Sequence, residues 1–228
     1  MKNKNKKLVI FDIDGTLADT KAIDDACFIQ AFDTTFNIDI QHQKWEDITH
    51  LTDWGITEEI IQKHLKRNPT TAEYGLMEAT MIANLTQAKA ENAAQFQEIR
   101  GAKSFFNHLQ TAPNIALGIA TGAWEKSALI KLGGVGIDPT NFPFSNSSHF
   151  KTREGITNHT IRQATANYDG DFEEIIYFGD GLWDYKTCQN LGIRFIGIDV
   201  LKDNRLKDIG ATTVFEDYRD MGKILAVI

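Results

Sequence analysis

Four groups of polar residues draw attention because of what precedes them. Asp12, Asp14, Gly15 and Thr16 come directly after the apolar run Leu8-Val9-Ile10-Phe11. Thr121 and Gly122 follow a second apolar run over 115–120, and Gly179, Asp180, Gly181 and Asp184 follow a third over 175–178. Lys151 lies between the second and third groups. Closely spaced carboxylates beside a hydroxyl and an ammonium can hold a hard cation or exchange protons. Taken singly, the acids also fit a solvated strand end or a turn built by Asp and Gly. Thr121-Gly122 alone equally fits a strand-to-helix turn capped by threonine.

The elements that must position these groups read clearly. Short continuous apolar runs at 8–11, 115–120, 175–178 and 195–198 predict strands buried on both faces, with a weaker candidate at 212–215. Helical patterns separate them, at 102–109, 125–132, 153–167 and 183–191. That alternation predicts a parallel sheet with helices on both faces, joined by right-handed crossovers. Ligands in such sheets bind beyond the carboxyl ends of the strands, so the four groups converge on one crevice. Residues 20–100 break the rhythm. They hold no buried strand and predict helices at 22–36, 57–66 and 71–94, with turns at Asn68-Pro69 and Asp53-Trp54-Gly55. Thr57 followed by Glu58-Glu59 reads as a helix start. The expected organisation is a core of 1–19 and 101–228 carrying a helical domain of 20–100.

Composition limits the function classes. The chain has 228 residues and a net charge of −7, without the basic footprint of a general nucleic-acid binder. No apolar stretch reaches the length of a membrane span, and the lysine-rich start, residues 1–7, reads as a frayed, solvated end. Two cysteines, Cys27 and Cys188, form neither a disulfide framework nor a zinc site by spacing, and Cys188 reads as a small core residue. The six histidines show no metal spacing. The expected setting is soluble and cytoplasmic.

Read together, Phe11-Asp-Ile-Asp-Gly-Thr-Leu17, Thr121, a lysine and Gly179-Asp-Gly-x-x-Asp184 resemble the motifs of the haloacid dehalogenase-like hydrolase superfamily, in order along the whole chain. The resemblance implies an α/β, Rossmann-like core with an inserted all-helical cap domain. It implies Asp12 as a nucleophile forming an aspartyl-phosphate, and Asp14 as the acid that protonates the leaving alcohol and then the base that activates water. Two acids in one turn repel, and Mg2+ is the implied cofactor, held by the Asp12 carboxylate, the Asp14 carbonyl, Asp180 and Asp184. Gly15 and Thr16 are implied to let the turn present amides to phosphate. Thr121 and the Gly122 amide would bind phosphoryl oxygens, and Lys151 would neutralise charge. Relatives that act on halides or phosphonates lack an acid at the place of Asp14, so oxygen leaving groups are implied.

Lys151 is preferred over Lys126 and Lys131, which lie on a helix where exposure is the default. The Lys-Pro pair frequent in the family is missing, since Thr152 follows, and Arg153 is a second group able to share the charge. Trp183 reads as a packed aromatic at a helix start. Thr52-Asp53-Trp54-Gly55 fits either a loop offered to substrate or an ordinary interhelical turn. Asp19-Thr20 and residues 98–101 are the expected hinges. The implied activity is magnesium-dependent hydrolysis of a small phosphorylated metabolite. Its alternatives are a phosphomutase of the β-phosphoglucomutase kind and a catalytically silent phosphate-binding protein.

Overall fold

The computed structural model describes residues 6–228, so the expectation for the first five residues lies outside the described chain. Six strands form one parallel sheet: β1 (Lys7–Phe11), β2 (Ile115–Ala120), β3 (Phe144–Ser145), β4 (Glu174–Gly179), β5 (Arg194–Ile198) and β6 (Val214–Phe215). Their order is β3-β2-β1-β4-β5-β6. The chain builds outward from β1 on one side, then crosses back and builds outward from β4 on the other. The switch point therefore lies between β1 and β4, which pair from Lys7↔Glu174 to Phe11↔Phe178.

The apolar runs make these strands because both sheet faces are covered. Leu8, Val9, Ile10 and Phe11 are all fully buried. Val9 and Phe11 pack with Phe105, Phe106 and Leu109 of α4 (Ala102–Gln110) and with Ala128, Leu132 and Val135 of α5 (Glu125–Val135). Leu8 and Ile10 face the other way, onto Ile156 and Ala164 of α6 (Arg153–Asn167) and Cys188 of α7 (Leu182–Leu191). The Phe11 and Phe178 rings stack at 4.9 Å across β1 and β4. Each such side chain contributes about 1.5–3 kcal/mol through burial. The strand β3 has no counterpart among the expected strands. It is two residues long, too short to leave an apolar run.

Between β1 and α4 the chain is helical: α1 (Lys21–Phe36), α2 (Asp53–Leu65) and α3 (Thr71–Glu91), with single 3-10 turns at Trp45–Asp47 and Ala93–Gln95. This insertion has its own apolar cluster, including Phe28, Phe32, Ile60, Ile61, Met77, Met81 and Leu85. Its entry and exit lie side by side, with Asp19 N–H donating to Gln97 O at 2.8 Å and Ile99 N–H to Leu17 O at 3.0 Å.

One expected boundary moves. Helix α2 begins at Asp53, so Asp53-Trp54-Gly55 is its first turn and not a loop. Thr52 caps it, its Oγ1 accepting from Gly55 N–H at 3.0 Å, and Asp53 sits where the helix dipole favours an acid. Thr57, read as the start, is buried within the helix and donates to Asp53 O at 2.7 Å. No described helix is long and apolar enough to cross a membrane.

Candidate active site

The ends of β1 and β4 bring the acids together. Asp12 continues the ladder, its N–H donating to Phe178 O at 3.0 Å, and Asp180 follows β4 directly. Asp184 lies on the first turn of α7, where its Oδ2 accepts from Gly181 N–H at 3.0 Å. One carboxylate oxygen from each of Asp12, Asp180 and Asp184 lies within 4.8 Å of the others. All three residues are buried. Desolvation accordingly pushes the Asp12 carboxyl up, against Arg153, raises Asp180 to about 6, and lifts Asp184 well above the usual range. Asp180 Oδ1 is buried without any hydrogen-bond partner. An all-oxygen donor set, penalised for its own charge and with one orphaned oxygen, fits a hard divalent cation.

Gly15 explains how the cluster closes. Its φ is +76°, and a Cβ there would stand 2.4 Å from Asp180 Cγ. Only glycine lets the turn after β1 pass so close to the second strand's acid. The amides of this turn, however, are used internally. Gly15 N–H donates to Ala18 O at 2.8 Å and Thr16 N–H to Ile13 O at 3.2 Å, which leaves neither free for an anion. Thr121 is buried, and its Oγ1 accepts from Ala123 N–H at 3.2 Å, as a turn-capping threonine does. Gly122 lines the pocket.

The basic group beside Asp12 is not the expected one. Lys151 points away, its ammonium 2.6 Å from Glu58 on α2. Two residues on, at the first position of α6, Arg153 places one guanidinium nitrogen 3.2 Å from Asp12 Oδ1 and 3.2 Å from Asp184 Oδ1. The reason is direction. Lys151 lies before the helix cap Thr152 and faces the insertion, while Arg153 starts the helix and faces the strand ends. Gly122 leaves the arginine its space, since a Cβ there would meet the guanidinium at 2.6 Å.

Lys131, read as exposed, is fully buried. Its ammonium lies 2.7 Å from Asp14 Oδ2 and 2.5 Å from Asp24 Oδ1. The spacing held the signal. Residues 128, 131, 132 and 135 fall on one stripe of α5, the buried one. These carboxylates raise the Lys131 ammonium far above the ordinary lysine range in spite of its burial. The other oxygen of Asp14 accepts from Thr20 Oγ1 at 2.6 Å. Asp14 is therefore gripped from both sides.

The insertion closes over this crevice. Asp53 N–H donates to Gly122 O at 2.8 Å, and its Oδ2 accepts from Trp124 N–H at 2.8 Å. Thr52 Oγ1 donates to Lys151 O at 2.7 Å, and Arg153 Nε donates to Leu51 O at 2.9 Å. What remains is a cavity of about 70 Å³ in which Asp12, Asp14 and Arg153 face Asp24, Asp25, Phe28 and Trp45. Trp183 also lines it, so this side chain does shape the pocket.

Several solved structures share this architecture. A hydrolase from Pseudomonas syringae is 19% identical, with a TM-score of 0.75 over 96% of this chain and 98% of its own. CbbY from Rhodobacter sphaeroides, solved in complex with phosphate, is 15% identical, with a TM-score of 0.68 over 94% and 96%. A β-phosphoglucomutase candidate from Bacteroides vulgatus is 15% identical, with a TM-score of 0.69 over 98% and 89%. No curated protein matches the sequence. The model of the haloacid dehalogenase-like hydrolase family matches residues 9–198, which spans both acid-bearing strand ends and the insertion. The chain belongs to the haloacid dehalogenase-like hydrolase family.

Proposed function

We propose that the protein is a magnesium-dependent phosphatase acting on a small phosphate monoester, with residues 20–100 as its cap. The observation that carries this reading is the meeting of Asp12, Asp180 and Asp184 at the β1/β4 switch point, with Asp14 in the same turn as Asp12. Phosphate bound to the R. sphaeroides relative agrees with it. Asp12, Asp180 and Asp184, with the Asp14 carbonyl, would hold the metal. A bound magnesium ion would offset the carboxylate charge and that of the phosphoryl group.

In the first step an Asp12 oxygen attacks phosphorus, the bond to the leaving oxygen breaks, and Asp14 delivers a proton to that oxygen. In the second, water attacks phosphorus, Asp14 takes the water's proton, and the bond to Asp12 breaks. Arg153 opposes the charge on Asp12 and on the transferring group, the role expected of Lys151. The grip on Asp14 is two-sided for a chemical reason. When Asp14 carries the proton, Lys131 still has Asp24 as a partner; when Asp14 is ionised, Lys131 and Thr20 hold it for the water. The Gly122 amide and Thr121 remain the proposed phosphate contacts after β2. A cap closed in this way excludes water from the first step.

The test is turnover of p-nitrophenyl phosphate by the metal-replete protein and by the Asp12→Asn variant. The wild type should need Mg2+, and the variant should fall to background while keeping its melting temperature. Near-normal activity of the variant, or a wild type indifferent to magnesium, overturns the reading.

A further inference from the structure

We propose that Lys21, the first residue of α1, is a second cationic contact for the transferring phosphoryl group, supplied by the insertion in addition to Arg153 from the core. This rests on the phosphatase reading above and adds a residue that lies outside the motifs at the strand ends.

Among the described residues, the other cations at the crevice are already held by acids. Arg153 is bound between Asp12 and Asp184, Lys131 between Asp14 and Asp24, and Lys151 to Glu58. Arg205 donates to Asp180 Oδ2 at 3.3 Å. Lys21 lines the cavity, and its ammonium makes neither an ion pair nor a hydrogen bond to a described residue. What it does meet is an aromatic face, 4.5 Å from the centre of the Trp183 ring.

That ring places the ammonium beside the strand ends. Trp183 stands on the first turn of α7, between Asp180 and Asp184 in the chain, and the guanidinium carbon of Arg153 lies 5.9 Å from the centre of the same ring. The ring is fixed by close packing on Gly181, where a Cβ would come within 2.0 Å of the indole. The residue before Lys21 is fixed as well, since Thr20 Oγ1 donates to Asp14 Oδ1 at 2.6 Å. Burial raises the Asp180 carboxyl, and the Lys21 charge is the strongest influence opposing it. Asp25 also feels this charge, but from beyond ion-pair reach.

A phosphoryl group in transfer spreads its negative charge over three peripheral oxygens. The Gly15 and Thr16 amides are used within their own turn, and Arg153 is divided between two carboxylates. An ammonium resting on a ring face is held by its charge and keeps N–H donors for an arriving anion. Its flexible stem lets it turn from the ring to a phosphoryl oxygen. Because Lys21 belongs to the insertion, the phosphoryl group would then be gripped from both packing units at once.

The experiment measures, by calorimetry, the affinity of the full-length, magnesium-loaded protein for inorganic phosphate, which has no alcohol part, and separately the affinity of the phosphate-free protein for Mg2+. Lys21→Met should weaken phosphate binding about tenfold, the loss of one charge-assisted contact. Mg2+ binding should hold or tighten, because a positive charge near Asp180 has been removed. Unchanged phosphate affinity overturns the proposal, and so does a parallel loss of affinity for both ions, which marks a structural role. The expected split in a protein that turns over no ester, p-nitrophenyl phosphate included, upholds the Lys21 contact and removes the phosphatase reading alone.

Discussion

The floor of the cavity and its outer wall are both acidic, but they solve the problem of buried charge differently. On the floor, Asp12 and Asp180 come from paired strand ends and Asp184 from the first turn of α7, and Arg153 and Arg205 approach from the side, the latter 3.3 Å from Asp180. On the wall, Asp24 and Asp53 come from two helices of the insertion, and a buried lysine from the core, Lys131, reaches Asp24 across the junction. The floor is anchored to the sheet and its three acids could hold a metal ion. The wall is a junction between two packing units, held by the ion pairs of Lys131 with Asp24 and Lys151 with Glu58 and by hydrogen bonds such as those of Thr52, Asp53 and Arg153. Chemistry on the floor should therefore tolerate little change, and changes at the wall should show first in stability and substrate choice.

The largest effect that would sharpen this contrast is at Arg153. Arg153→Ala should lower kcat by about 10²–10³-fold, since a buried charge partner of Asp12, the proposed nucleophile, is lost. Activity within a few-fold of wild type would show that the floor does not depend on it.

Lys131→Met tests the wall. It leaves Asp14 and Asp24 without their shared cation, and chemical denaturation should show a loss of roughly 3 kcal/mol. An unchanged midpoint would mean that this ion pair does not join the insertion to the core.

A smaller effect concerns pH. The Asp180 carboxyl is raised to about 6 in the folded chain, so the metal-free protein binds protons more tightly than its unfolded form does. That contribution to stability is complete below the unfolded carboxyl range and is lost as pH rises through about 6. The melting temperature of metal-free protein should fall between pH ~5 and pH ~7.5, while the gain from added magnesium should grow over the same range. Equal gains at both values would place the ion elsewhere.

The smallest expected effect is that of Lys151→Ala, a change of less than about threefold in kcat/KM, because its partner Glu58 is partly exposed. A loss as large as that of Arg153→Ala would reverse the assignment of the two residues.

The floor was legible in the sequence for a physical reason. Asp12 and Asp180 each follow an apolar run directly, so one rule about strand ends brings them together. Asp14 and Asp184 are fixed by the turn or helix that follows. The parallel sheet could be read from the same runs, except β3, which is too short to show periodicity. The basic partners were harder because their direction depends on packing. Lys151 and Arg153 are two residues apart on either side of a helix cap, and only the cap's geometry decides which one turns inward. Lys131 sat on an apolar stripe that favoured burial, against the general rule that lysines on helices are exposed. The wall was least legible, because Asp24, Asp25 and Asp53 gain their meaning from contacts between segments far apart in the chain. Thr52 to Gly55, read as a loop or turn, is in fact a capped helix start that docks on Gly122.

The central claim is that Asp12 is the atom-bearing nucleophile. Wild-type protein turning over p-nitrophenyl phosphate with magnesium can be quenched in acid, digested and examined by mass spectrometry. The account expects one phosphoryl group, on the peptide that contains Asp12, absent in Asp12→Asn and lost at alkaline pH. Vigorous turnover with no phosphorylated peptide at any quench time, or a phosphoryl group on another residue, would contradict it.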